Sequence, residues 1–136
     1  MLNKSVFGAA LLLAAGSGVQ AADYQIETVA EGLSFPWALA FLPDGGMLVT
    51  ERAGRLRLID AEGELQPEPI TGVPEAFVNS QAGLMGLALA PDFAQSRELF
   101  MSYACGTIEA NHTCLASARF NGTSLENTHE IFRVQP

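Results

Sequence analysis

Basic side chains are scarce in this 136-residue chain. One lysine, Lys4, and six arginines stand against 15 aspartates and glutamates, for a formal charge of −8. With a pI near 4.5 and no cluster of cations, a nucleic-acid-binding face is excluded, because neutralising phosphates needs several positive charges held together. Acidity otherwise says mainly solubility. Cysteine is nearly absent: Cys105 and Cys114 form no CxxC pair, which leaves a zinc or thiol-redox motif without its usual spacing. No apolar run approaches the roughly 20 residues that carry a helix across a bilayer, and no helix of useful length is expected.

The first 21 residues carry a different signal. Lys4 gives a positive start, Val6 to Ala15 is apolar, and Val19-Gln20-Ala21 places small residues where a signal peptidase cuts. This pattern predicts a cleavable leader over 1–21, cleavage before Ala22 and export to the periplasm. In that oxidising space Cys105 and Cys114, nine positions apart with Gly106 and Asn111 between them, are expected to close a disulfide. A loop this short contributes about 2–3 kcal/mol by chain-entropy reasoning. His112 inside it is expected to be a solvated loop residue.

The mature region reads as strands punctuated by turns. Tyr24 to Val29 alternates, Trp37 to Leu42 is almost wholly apolar, and Pro43-Asp44-Gly45-Gly46 is a turn. Met47 to Thr50 and Arg55 to Ile59 follow as strands, and Leu65 to Ile70, with its prolines, suits an outer edge. The order then returns: Leu84 to Ala90, a Pro91-Asp92 turn, Leu99 to Tyr103, Leu115 to Phe120 and Ile131 to Val134. Leu39-Ala40-Phe41-Leu42-Pro43-Asp44 matches Leu87-Ala88-Leu89-Ala90-Pro91-Asp92 at an offset of 48 residues.

A repeat of about 40–50 residues with four short strands is the signature of a β-propeller blade. The fold expected is therefore all-β, with one four-stranded blade at about 24–75 and a second at about 82–136. An eight-stranded sandwich is the competing architecture, but it does not require a repeated strand-Pro-Asp-strand unit. Within a blade the apolar inner strand should be covered on both faces, which places Trp37 in the core, with stacking on a ligand as its alternative role. Arg55 and Arg57 should lie on one solvated strand face. Two blades cannot close a ring, so the pattern predicts the amino-terminal part of a longer protein; self-association of several copies is the alternative.

Phe35-Pro36-Trp37-Ala38-Leu39-Ala40-Phe41-Leu42-Pro43-Asp44-Gly45, Met47-Leu48-Val49-Thr50-Glu51-Arg52, Gln81-Ala82-Gly83-Leu84-Met85-Gly86 and Ala90-Pro91-Asp92-Phe93 together resemble the opening of the soluble quinoprotein glucose/sorbosone dehydrogenases, and within them the periplasmic aldose sugar dehydrogenases. That resemblance implies a six-bladed propeller with pyrroloquinoline quinone (PQQ) and calcium. It also implies oxidation of an aldose to a lactone by hydride transfer to the quinone. Gln81 stands where the family places the glutamine of a Gln-x-Gly-Leu loop, which lines the quinone and sugar pocket. An amide offers a donor and an acceptor to such ligands, and Gly83 and Gly86 permit close backbone approach. Asn79 reads as a loop cap.

The family's catalytic histidine belongs to a His-x-x-Gly-Arg segment, and no such segment occurs in this sequence. His129 does not match it. Calcium ligands and quinone-binding arginines are expected beyond the second blade, so no catalytic and no metal-binding residue is assigned here. The cofactor is not expected to bind this chain stably, and the chain alone is expected to be inactive. The alternative function is a non-redox periplasmic propeller, either a binding or scaffolding module or a lactonase-like hydrolase.

Overall fold

The Pro43-Asp44-Gly45-Gly46 turn forces the first hairpin. Leu42 N–H donates to the Gly46 carbonyl at 2.8 Å, Gly45 takes a φ of 94°, and the Asp44 carboxylate accepts from Gly46 N–H at 3.1 Å. Only glycine adopts that φ without steric cost. The computed structural model describes residues 24–135, and the expected leader lies outside them. Seven strands and one short helix follow in order: β1 (Pro36–Phe41), β2 (Met47–Glu51), β3 (Arg55–Ile59), β4 (Leu84–Leu89), α1 (Phe93–Ser96), β5 (Glu98–Gly106), β6 (Asn111–Phe120) and β7 (Leu125–Arg133). They make two antiparallel meanders, β1-β2-β3 and β4-β5-β6-β7.

The first sheet has three strands where four were expected. Leu65 and Ile70 touch β3 only through isolated bridges to Ile59 and Leu56, because Pro67 and Pro69 cannot donate to a ladder. Tyr24 to Val29 forms no strand either; Ile26 is 97% exposed. Its alternation has no neighbouring strand to pair with among the described residues. The second Pro-Asp turn also differs from the first. Pro91-Asp92 leads into the single turn of α1, which ends on Arg97 at φ 60° before β5 begins.

The main core lies between the sheets. Leu48 and Leu56 meet Leu84, Leu99, Met101 and Phe120, all essentially excluded from water. A smaller cluster of Met47, Val49 and Ile59 covers the other face of the first sheet, packed against Ala30, Leu33 and Leu65. The chain's own leading segment thus shields part of that flank.

Burial runs against the expected gradient. β2 is buried throughout, whereas β1, the supposed inner strand, exposes Trp37 (51%), Leu39 and Phe41 (72%). Trp37 is therefore not a core residue. An apolar strand is buried only by what lies over it, and nothing among the described residues covers the face of β1 that carries Leu39 and Phe41, whereas Ala38 and Ala40 on the other face are half-buried towards β4. Phe132 on β7 and Val134 just after it are similarly exposed.

Candidate functional site

Gln81 sits at the tip of a tight turn. Asn79 and Ala82 exchange backbone hydrogen bonds, Ala82 N–H to Asn79 C=O at 2.8 Å and the reverse at 3.3 Å, with Ser80 at φ 52°. Asn79 thus closes the turn through its backbone. Gly83 then threads between two strands: its carbonyl accepts from Ala104 N–H at 2.8 Å, while Leu84 N–H donates to Arg52 C=O at 3.2 Å. A Cβ at Gly83 would collide with the Arg52 carbonyl, and one at Gly86 would press on Ser102 Oγ. At Gly83 two backbones meet, and at Gly86 the chain closes on the Ser102 hydroxyl, which accepts from Gly86 N–H at 2.8 Å.

A bulge in β4 between Leu84 and Leu87 redirects the chain. It turns the Met85 carbonyl towards the buried Thr50 hydroxyl, which donates to it at 2.6 Å and accepts from Ala38 N–H at 3.0 Å. One side chain on β2 therefore pins the strand that carries Trp37 to the strand that follows Gln81. The entry to β1 is fixed from the same end of β2. Ser34 N–H donates to the fully buried Glu51 carboxylate, and Arg52 N–H to Phe35 C=O at 3.1 Å, with the Arg52 guanidinium 4.3 Å above the Phe35 ring.

Between these anchored pieces opens a cleft of about 860 Å³, walled by Trp37, Gln81, Met85, Glu109, Asn111 and His112 among others. Its size is that of a small-molecule site. The Gln81 amide and the Trp37 indole N–H make no hydrogen bond to other described residues, so both are open to a ligand. His112 is not a loop residue: it lies on β6 opposite Cys105 and faces the cleft. His129 lies elsewhere, on β7, with Nδ1 2.7 Å from the Asn127 carbonyl.

A disulfide joins Cys105 on β5 to Cys114 on β6, beside the hairpin that walls the cleft. Cys105, Cys114 and Glu130 lie close enough together to hold a metal. With both sulfurs bonded to each other, though, no thiolate remains as a ligand. Glu130 is instead engaged by Arg133 at 2.7 and 3.0 Å, which holds its carboxyl below the usual range. Burial, and then the Glu130 charge, push the Tyr103 phenol upward. Both groups border a second cleft of about 590 Å³.

Arg55 and Arg57 are not simply solvated. They share one sheet face with Glu51, Arg55 Nε bonding its carboxylate and Arg57 reaching it at 3.7 Å. Arg57 also donates to the Gln66 carbonyl at 2.9 Å, which ties down the proline-containing segment. This cluster is structural, and it leaves the cleft without a cation among its walls.

Antiparallel sheets deliver an amide loop to a cleft of small-molecule size at one end of a β-scaffold. The glucose/sorbosone dehydrogenase family model matches residues 33–136, and the chain belongs to that family. It is similar to the aldose sugar dehydrogenase YliI of Escherichia coli, at 48% identity over 84 residues, which make up 61% of this chain and 22% of that protein. A solved glucose dehydrogenase is 43% identical with a TM-score of 0.76, over 81% of this chain and 33% of that one. The PQQ-bound aldose sugar dehydrogenase of Streptomyces coelicolor is 29% identical with a TM-score of 0.65, over 82% of this chain and 34% of that one. The chain spans only 22–30% of the length of the curated relatives it matches. No helix among the described residues is long and apolar enough to cross a membrane.

Proposed function

We propose that this chain is the amino-terminal part of a periplasmic quinoprotein that oxidises aldose sugars to lactones. In this reading the two sheets are the first blades of a six-bladed propeller, at about 24–75 and 82–136. The observation that carries the reading is the placement of Gln81, the one site residue the family resemblance assigns, at an open cleft. The partial span of the relatives and the uncovered apolar face of β1 support the incompleteness. Export through a cleaved leader accords with the disulfide between Cys105 and Cys114.

When bound, PQQ accepts the hydride that leaves the sugar. The cleft's present walls fit that group only in part. They offer an indole face and an amide, suited to a flat molecule with carbonyl oxygens, but no arginine or lysine to pair its carboxylates and one carboxylate, Glu109, of the wrong sign. The sequence holds no His-x-x-Gly-Arg segment to supply a base, and in this reading the calcium ligands come from later blades. This chain's contribution is thus to bind and orient, with the Gln81 amide donating to or accepting from a ligand oxygen. Stable cofactor binding and turnover need residues outside it.

A dye-linked sugar oxidation assay with added PQQ and calcium tests this. The chain alone should show no turnover. Replacing the corresponding portion of the E. coli aldose sugar dehydrogenase by residues 24–135 should give an active chimera, and Gln81→Ala in it should lower kcat/KM by about 10- to 100-fold, the loss of one or two good hydrogen bonds. Turnover by the isolated chain would refute the incompleteness. A folded but inert chimera would favour the non-redox binding module or hydrolase.

A further inference from the structure

Trp37 is the chain's single tryptophan, and the structure puts it where no core residue belongs. Half of it is exposed, on a strand whose backbone is pinned through Thr50, at the wall of the cleft that Gln81 also lines. A large aromatic surface left open on a held backbone costs little further ordering when a ligand covers it. The charge pattern decides which ligand. Among the named walls the one formal negative charge is Glu109 and no arginine or lysine is present, so a polycarboxylate meets repulsion there and no counter-charge. A neutral molecule rich in hydroxyls does not. Gln81 and Asn111 each present a carbonyl and an NH₂ group to such hydroxyls. An indole face packs against the C–H groups of a pyranose while its N–H stays free to donate.

We infer that Trp37 is the stacking platform for the sugar, and that the Trp37–Gln81 wall is the substrate side of the cleft and not the quinone side. This rests on the aldose-oxidising reading proposed above, and it adds the residue that holds the sugar ring. A single hydrogen-bonding residue orients one oxygen; a flat apolar platform beside it fixes the ring plane as well, which is what selects a pyranose over an open-chain polyol.

The test uses the full chain with D-glucose as the probe, and sorbitol and PQQ as controls. Saturation-transfer NMR detects weak binding and reports which ligand protons touch the protein, while Trp37 emission reports whether the indole is covered. Glucose should quench or blue-shift Trp37 emission and show strongest saturation on the ring C–H protons of one face; sorbitol should bind several-fold more weakly. Trp37→Ala should weaken glucose binding at least about tenfold, and Trp37→Phe, which keeps a ring, should retain most of it. Circular dichroism of both variants should match the parent, separating loss of the platform from loss of the fold. Unchanged glucose affinity in a folded Trp37→Ala chain would overturn the inference, as would the absence of glucose saturation in the parent. Coverage of Trp37 by PQQ and not by glucose would overturn it too. If only Gln81→Ala weakens glucose binding, the platform role falls while the dehydrogenase reading stands. If the chimera is inert but glucose still covers Trp37, the dehydrogenase reading falls and the sugar wall stands.

Discussion

Thr50→Val tests the claim that one buried hydroxyl holds the two walls of the cleft together. The Thr50 side chain is excluded from water, and its single proton goes to the Met85 carbonyl at 2.6 Å in preference to the Ala38 carbonyl at 3.4 Å. Its lone pair accepts from Ala38 N–H at 3.0 Å. Valine has nearly the same shape, so no cavity opens; what changes is that two backbone groups lose their partner. A buried donor or acceptor left unpaired costs about 1–3 kcal/mol. Ala38 and Met85 are only half-buried, so water recovers part of that, and a loss of about 2–4 kcal/mol is expected for the pair. Thr50→Ser keeps the hydroxyl and should cost only about 1 kcal/mol for the lost methyl. Urea denaturation followed by Trp37 emission is the assay, since Trp37 adjoins Ala38. A Thr50→Val chain within about 0.5 kcal/mol of the parent, or a Thr50→Ser chain as damaged as Thr50→Val, would refute the pin.

Other perturbations test other parts of the scaffold. Gly83→Ala should destabilise by about 2–4 kcal/mol or prevent folding, because the added Cβ meets the Arg52 carbonyl and neither backbone can yield; urea midpoints near the parent's would contradict the close approach. Glu51→Ala strands the Ser34 amide and a mostly buried Arg57, and should cost about 2–3 kcal/mol, discounted because Arg55 is 40% exposed; Glu51→Gln should cost less. The folded Tyr103 phenol holds its proton above the ordinary value of 10.0, chiefly through burial and then through Glu130. Its contribution to stability is therefore complete below pH 10 and lost as pH climbs through the folded value. Tyrosinate absorbance in a Tyr24→Phe chain should show the raised midpoint, and Glu130→Gln should bring it down; a midpoint at or below 10 contradicts the burial. Replacing Cys105 and Cys114 by serine should lower stability by about 2–3 kcal/mol in urea melts, and an unchanged melt would mean that the hairpin needs no cross-link.

Local chemistry was legible in the sequence, and coverage was not. The turn at Pro43 to Gly46 was readable because glycine conformations and aspartate side chains act within a few residues. Four of the seven strands were placed within two residues at both ends and the other three at one end for the same reason: alternation and turns bound them. The burial of β1 was misjudged because an apolar run does not say what lies over it, so Trp37 was assigned to the core and its place beside Gln81 was missed. Glu51 was missed as a buried acid. Its signal was present in the short turn that sets Arg55 opposite it, with Arg57 two residues on along the same face. Tyr24 to Val29 alternates like a strand, but alternation cannot create the partner that a strand needs.

The most direct measurement mixes this chain with an E. coli aldose sugar dehydrogenase that lacks the portion matching it, and reads the mass of the product together with dye reduction. A one-to-one complex should form, and sugar-dependent dye reduction should appear once PQQ and calcium are added. A chain that stays apart, with no dye reduced, would mean that these two sheets are not the missing portion of a larger ring.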